Sequence, residues 1–184
     1  MSGKRTYVDK TFAPDKKTAE AIFAVAEAHH TPCYSTSALR FASDYEALAG
    51  QNIQAAAFWG PYDLETYSIH QLEPMIMLMQ GDVKRVLAQQ ANGWTQICLE
   101  WSDKRVASLT CTGKDGAFWT NIDLEQGNRI FEITSDNFGA FIENLVSFFE
   151  GEDIPVTHSE TIMIMAVREA CLKASRQPGT WIEV

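Results

Sequence analysis

Glu65-Thr-Tyr-Ser-Ile-His70-Gln-Leu-Glu-Pro-Met75-Ile-Met-Leu-Met-Gln-Gly81 divides the chain into two halves of different character. Its apolar residues predict a helix from about Thr66 to Gln80, stopped by Gly81. Pro74 lies well inside, so a kink or a short preceding helical turn is expected there. Before this stretch, strands and helices alternate. After it come strand-like segments at Val83–Gln89, Trp94–Trp101, Arg105–Thr112, Ala117–Leu124 and Arg129–Thr134. Their connectors carry turn residues, among them Asn92-Gly93, Ser102-Asp103 and Gln126-Gly127-Asn128. Connectors this short join antiparallel strands. Val106, Ser108 and Thr110 alternate with Ala107, Leu109 and Cys111, the pattern of a sheet covered on one face.

Working outward toward the N-terminus, Arg5–Asp9 reads as a short strand. Asp15 is the expected N-cap of a helix whose apolar residues Ala19, Ile22, Phe23, Val25 and Ala26 recur at helical spacing. Pro32–Ser35 is a second strand, which makes a β-α-β unit, parallel and right-handed by the usual rule. Ser37 to Leu48 is short helical or irregular chain. Ile53–Trp59 is strand-like. Toward the C-terminus, Asp136 opens a helix that Gly151 ends. Thr157-His-Ser-Glu160 has the capping-box pattern ahead of a last helix, and Thr180–Val184 is a final strand. The fold class is α+β: a short β-α-β opening, then a large, mostly antiparallel open sheet with helices over one face.

At 184 residues with 46% apolar and 21% charged content, one globular domain with a real core is expected. A net charge of −9 without a Lys/Arg cluster argues against nucleic acid. Apolar runs such as Met75–Met79 are far shorter than a membrane span. The start, Met1-Ser-Gly-Lys-Arg5, has no apolar signal-peptide core. The four cysteines, Cys33, Cys98, Cys111 and Cys171, lie in apolar or strand-like contexts with no metal-ligand spacing. They read as buried free thiols of a reducing cytoplasm. No metal site is expected.

No Gly-x-Gly-x-x-Gly turn or Walker loop occurs, so the chain by itself has no dinucleotide or nucleotide phosphate cradle. Of the four histidines, His29 and His30 close a helix and His158 sits in the capping box; all three read as structural. His70 has Thr66 at i−4 and Glu73 at i+3 on its own helix face. It is either a general acid/base oriented by these neighbours or a core histidine bonded to Thr66. Lys10 follows a strand, where α/β sheets bind ligands; it is either a group that polarises a carbonyl or holds a hydroxyl, or a solvated lysine, which spacing alone favours. Arg40 is either an anion or hydroxyl clamp or a surface ion-pair partner.

The segment Ser2-Gly-Lys-Arg-Thr-Tyr-Val-Asp-Lys-Thr-Phe-Ala13 resembles the last nucleotide-domain strand of the Gfo/Idh/MocA family. That family comprises glucose–fructose oxidoreductases, inositol dehydrogenases and rhizopine-catabolism proteins. Their strand ends in an acidic-Lys-Pro triplet, which Asp9-Lys10 match, with Thr11 in the proline position. Their Asp-x-x-x-His pattern is matched by His70, with Thr66 in the aspartate position. Tyr67-Ser-Ile-His-Gln-Leu-Glu73 is similar to members with Tyr-x-Ile-His-x-x-Glu. The resemblance spans nearly all of residues 2–184 and implies a dihydrodipicolinate-reductase-like C-terminal domain. Residues 1–35 would be the remnant of the last Rossmann β-α-β unit, and 36–184 the substrate-binding and oligomerisation domain.

The resemblance further implies an NAD(P)-dependent dehydrogenase acting on a sugar or cyclitol CH–OH group. His70 and Lys10 would be catalytic, with Lys10 also near the nicotinamide. Arg40, Thr66 and Glu73 would contact the small-molecule substrate. NAD or NADP would serve the intact protein, and the partner would be the Rossmann domain that this chain lacks. The chain alone would hold no cofactor and be inactive. The alternative is a non-catalytic, stand-alone small-molecule-binding or dimerisation module. A homodimer or homotetramer is expected through the sheet, across a face carrying Trp94, Trp101, Phe118 and Trp119.

Overall fold

The computed structural model describes residues 3–184, so the first two residues of the N-terminal segment lie outside it. The β-α-β opening consists of β1 (Thr6–Tyr7), α1 (Lys16–Ala28) and β2 (Cys33–Tyr34). The two strands pair in parallel as a small sheet of their own. The Asp15 carboxylate caps α1 by accepting from the Thr18 N–H at 2.7 Å. The Lys10–Thr11 peptide bond, just after β1, is cis. Two 3-10 turns follow, Ala38–Phe41 and Ser43–Leu48.

The rest is one mixed sheet and three helices. The elements in order are β3 (Ile53–Gly60), α2 (Leu64–Met79), β4 (Val83–Ala91), β5 (Trp94–Trp101) and β6 (Val106–Cys111). Then come β7 (Trp119–Leu124), β8 (Gly127–Glu132), α3 (Asn137–Glu150), α4 (His158–Ser175) and β9 (Trp181–Glu183). The seven-stranded order is β8-β7-β3-β6-β5-β4-β9. Every pairing is antiparallel except β3 with β6. The expected α+β architecture therefore holds, with β3 inserted between two strands that are neighbours in sequence.

The Asn92-Gly93 turn has positive φ at both residues, 53° and 82°. This is the twist a two-residue hairpin needs, and it sets the register of β4 on β5. Along β6, Ala107, Leu109 and Cys111 are buried in the core beneath the helices, and Val106 faces solvent. All four cysteines are free thiols, three of them buried and Cys98 half-buried.

Three local expectations need correcting. Asp63 caps α2 two residues earlier than expected, and the helix runs unbroken through Pro74. A proline removes one N–H, here the donor that would have met the His70 carbonyl; packing on both sides of the helix holds the rest. Trp101 does not face outward. It is fully buried on the helix side, and its indole Nε1 donates to the Gln80 carbonyl at 2.8 Å. The capping box of α4 is half-formed: the Thr157 hydroxyl accepts from the Glu160 N–H at 3.2 Å, but the Glu160 carboxylate goes to Arg40.

Candidate functional site

α2 packs on the inner face of the sheet and presents His70 toward the strand end of β1 and the chain after β2. His70 is half-buried, and its Nδ1 lies 2.7 Å from the Ser37 hydroxyl. Ser37 itself is fully buried and caps the first 3-10 turn, its Oγ accepting from the Leu39 N–H at 3.3 Å. The Tyr67 ring stands edge-on to the imidazole at 5.1 Å, and Phe118 closes the other side at 6.0 Å. Lys10 places its ammonium 5.7 Å from the Tyr67 ring centre. His70 and Lys10 both stand against the Tyr67 ring.

The electrostatics set the imidazole's state. Burial, reinforced by the Lys10 charge and only partly opposed by Asp9, pulls the His70 pKa down to about 4. The ring is neutral at physiological pH. The Ser37 hydroxyl accepts from the Leu39 N–H; toward His70 it can accept from Nδ1–H or donate its own proton to Nδ1. The first of these two tautomers leaves Nε2 unprotonated, the form a general base needs.

The other three predicted site residues sit differently. Thr66 is exposed, and its hydroxyl donates to the Asp63 carboxylate at 2.7 Å, within the helix cap. It does not bond to His70; Ser37 holds that place. Arg40 and Glu73 are buried and bonded to each other at 2.9 Å. The Arg40 guanidinium reaches the Glu160 carboxylate at 2.5 Å with its other arm. Thr36 adds a 3.3 Å hydrogen bond to the same Glu73 oxygen that Arg40 holds. One arginine thus ties the first 3-10 turn to α2 and α4. Burial outweighs Arg40 and pushes the Glu73 carboxyl up to about 7. Because Thr36 binds Glu73 and Ser37 binds His70, two adjacent residues join the ion triad to the imidazole.

His158 is structural, as expected, but by different contacts. Its ring stacks on Phe23 at 3.9 Å and bonds to Glu27 and to the Cys33 carbonyl. Sequence reasoning missed Ser37, Tyr67 and Glu160 as members of the site. Tyr67 had a signal, since it lies on the His70 side of α2; the pairings of Ser37 and Glu160 are long-range and left none. A cavity of about 980 Å³ opens at the far end of α2, between Met77–Gln80 and the 3-10 turns. Arg40 forms part of its wall, but His70 and Lys10 do not.

Gly60, at the end of β3, allows this packing. A Cβ there would stand 2.7 Å from the Gln71 amide and 2.8 Å from the Phe118 ring. Gly60→Ala is expected to push Phe118 off His70 and cost about 1–3 kcal/mol by overpacking. Thermal unfolding and the His70 ring proton shifts would register both effects.

No protein-family model matches the sequence, and no curated protein sequence does. Solved structures match closely in fold. Scyllo-inositol dehydrogenase from Lactobacillus casei, with bound NAD(H) and scyllo-inositol, superposes with a TM-score of 0.75 at 15% identity. The match covers 98% of this chain and 73% of that one. Myo-inositol 2-dehydrogenase from Lactobacillus plantarum gives 0.74 at 13% identity, covering 98% and 73%. GenD2 from gentamicin A biosynthesis, in complex with NAD, gives 0.78 at 10%, covering 99% and 72%. The resemblance read from the sequence is borne out at the level of the fold, which this chain shares with inositol dehydrogenases and related oxidoreductases.

Proposed function

We propose that this chain is the substrate-binding part of an oxidoreductase that acts on a secondary alcohol of a cyclitol or sugar. The observation that carries the reading is the neutral His70 imidazole, fixed by Ser37 and standing with Lys10 around Tyr67. In this reading Nε2 of His70 takes the hydroxyl proton as the alcohol is oxidised. The Lys10 ammonium orients the same oxygen and stabilises its developing negative charge. Tyr67 and Phe118 supply apolar walls for the C–H face of the ring.

A dinucleotide does not fit the described residues. They contain no glycine-rich turn between a strand and a helix, and the β1–β2 sheet has only two strands. The hydride acceptor therefore belongs to a nucleotide-binding domain outside residues 3–184. The chain's own part is to bind the alcohol and move its proton. In this proposal the β-α-β unit before residue 36 is the remnant of that domain's last unit, and 36–184 is the substrate-binding and oligomerisation domain. The second reading, a binding module without catalysis, is favoured by one observation: among the described residues no carboxylate is hydrogen-bonded to His70.

Titration with scyllo-inositol, myo-inositol and glucose, followed by the His70 ring proton resonances, tests the site. Binding of one of them is expected, weakened about tenfold or more in Lys10→Ala, where a charge-assisted hydrogen bond is lost. If none moves those resonances at saturating polyol, the site assignment is wrong. The chain alone is expected to reduce no NAD or NADP with any of these alcohols; turnover would overturn the division of labour. If addition of the nucleotide domain in trans restores no turnover although polyol binds, the module reading prevails.

A further inference from the structure

The short connection between β3 and α2 carries a residue that the proton transfer at His70 does not account for. Tyr62 has a φ of 59°, in the left-handed region that a bulky side chain rarely enters. Three hydrogen bonds to the β6–β7 loop hold it there. Its N–H donates to the Lys114 carbonyl at 2.9 Å, and its carbonyl accepts from the Gly113 N–H at 2.9 Å. Its hydroxyl donates to the Asp115 carboxylate at 2.9 Å, and the same oxygen accepts from the Gly116 N–H. Gly113 approaches the Gly93 carbonyl too closely to carry a Cβ, so the loop is itself anchored on the β4–β5 turn.

The ring held so firmly is not buried. Tyr62 is 37% exposed, and its ring lies 4.3 Å from that of Tyr67 with the planes inclined at 55°. Tyr67 is the residue against which His70 and Lys10 both stand. Phe118, His70, Tyr67 and Tyr62 therefore make a chain of rings, each against the next. One six-membered ring seated over His70 and Tyr67 leaves Tyr62 to a second. A residue that served only to pack the core would be covered. A strained backbone kept in place to present an open aromatic face beside candidate catalytic groups points to a ligand.

We propose that Tyr62 is a specificity-determining residue of the His70 site, and that the substrate is a neutral glycoside of two rings. The inference rests on the reading of His70 as proton acceptor in an alcohol oxidation. The ring with the reacting hydroxyl lies at His70 and Lys10, and the second ring stacks its apolar C–H face on Tyr62. Contact at the second ring holds the alcohol in place with binding energy from a part of the substrate that does not react. The Asp115 carboxylate at the Tyr62 hydroxyl makes a uronate or a phosphorylated second ring a poorer ligand than a neutral one.

The test is titration of the whole chain with cellobiose and maltose beside methyl β-glucoside and methyl α-glucoside, followed by the His70 ring proton resonances. One disaccharide is expected to bind about tenfold or more tighter than the methyl glycoside of the same linkage. Tyr62→Gly adopts the positive φ without strain and so keeps the fold. It is expected to bring the disaccharide down to the affinity of the methyl glycoside. Tyr62→Phe, which loses the Asp115 bond and keeps the ring, retains most of the preference. If neither disaccharide binds tighter than its methyl glycoside, or if Tyr62→Gly keeps the preference, the inference is overturned while monosaccharide or inositol binding leaves the His70 reading standing. If no sugar or cyclitol moves the His70 resonances, that reading falls and takes this inference with it.

Discussion

Replacing Arg40 by methionine is expected to lower the unfolding free energy by about 3–5 kcal/mol, among the largest effects of any single change outside the apolar core. The reason is what the substitution leaves behind. Glu73 is 2% exposed and its carboxylate is held by Arg40 and Thr36. Without the guanidinium the folded protein must keep a buried carboxylate unpaired or protonate it. Glu160 suffers less, because its side chain is 24% exposed and water can take over. The double variant Arg40→Met/Glu73→Met is therefore expected to recover most of the loss, since both buried charges go together. Urea unfolding of the three proteins checks this. A double variant as unstable as the single one would mean that the arginine matters through packing rather than through charge.

The second large effect concerns pH. Between pH 4 and 6.5 the unfolded chain protonates His70 and the folded chain does not, so this residue makes stability rise with pH. Between pH 4.5 and 7 the folded chain holds a proton on Glu73 and the unfolded chain does not, so stability falls with rising pH. The two slopes oppose each other across the shared window. Each amounts to about 1.4 kcal/mol per pH unit, and their contributions nearly cancel in the native protein. His70→Asn removes one side of the balance. Relative to the native protein, its stability is expected to drop by about 2 kcal/mol on going from pH 4.5 to 6.5. Glu73→Gln is expected to give a difference curve of opposite sign. Parallel curves for all three proteins would show that neither group is displaced by folding.

Much of the architecture is legible in the sequence because it rests on local rules. The caps at Asp15, Asp136 and Thr157 need only a side chain and an N–H three residues on. The Asn92-Gly93 hairpin and the alternation along β6 are equally local. The misplacement of Trp101 has a simple cause. Trp94 and Trp101 are an odd number of residues apart on one regular strand, so they point to opposite faces. Grouping them by residue type ignored that parity.

The site was legible only in part, because its decisive contacts are long-range. His70 and Lys10 could be singled out as chemistry-bearing residues, yet Ser37 is one polar residue in a Ser35-Thr36-Ser37 run until β2 and α2 are packed together. Arg40 offers the same lesson. Nothing in its neighbourhood in sequence shows that it will be shared by Glu73 on one helix and Glu160 on another.

The insertion of β3 into the sheet has a consequence for how the molecule is built in time. β4, β5 and β6 form successive hairpins, and β7 and β8 form another. Both groups need only short loop closures. They share no strand pairing with each other; β3 alone joins them, by parallel pairing to β6 and antiparallel pairing to β7. Reaching that position closes a loop containing α2, β4 and β5, an entropic cost absent from the hairpins. Loop-closure entropy therefore leads us to expect the sheet to assemble late from two early pieces, with β3 as its clasp. The helix within the Glu65–Gly81 stretch packs on both β3 and β6, and so braces the clasp against the strand it joins in parallel.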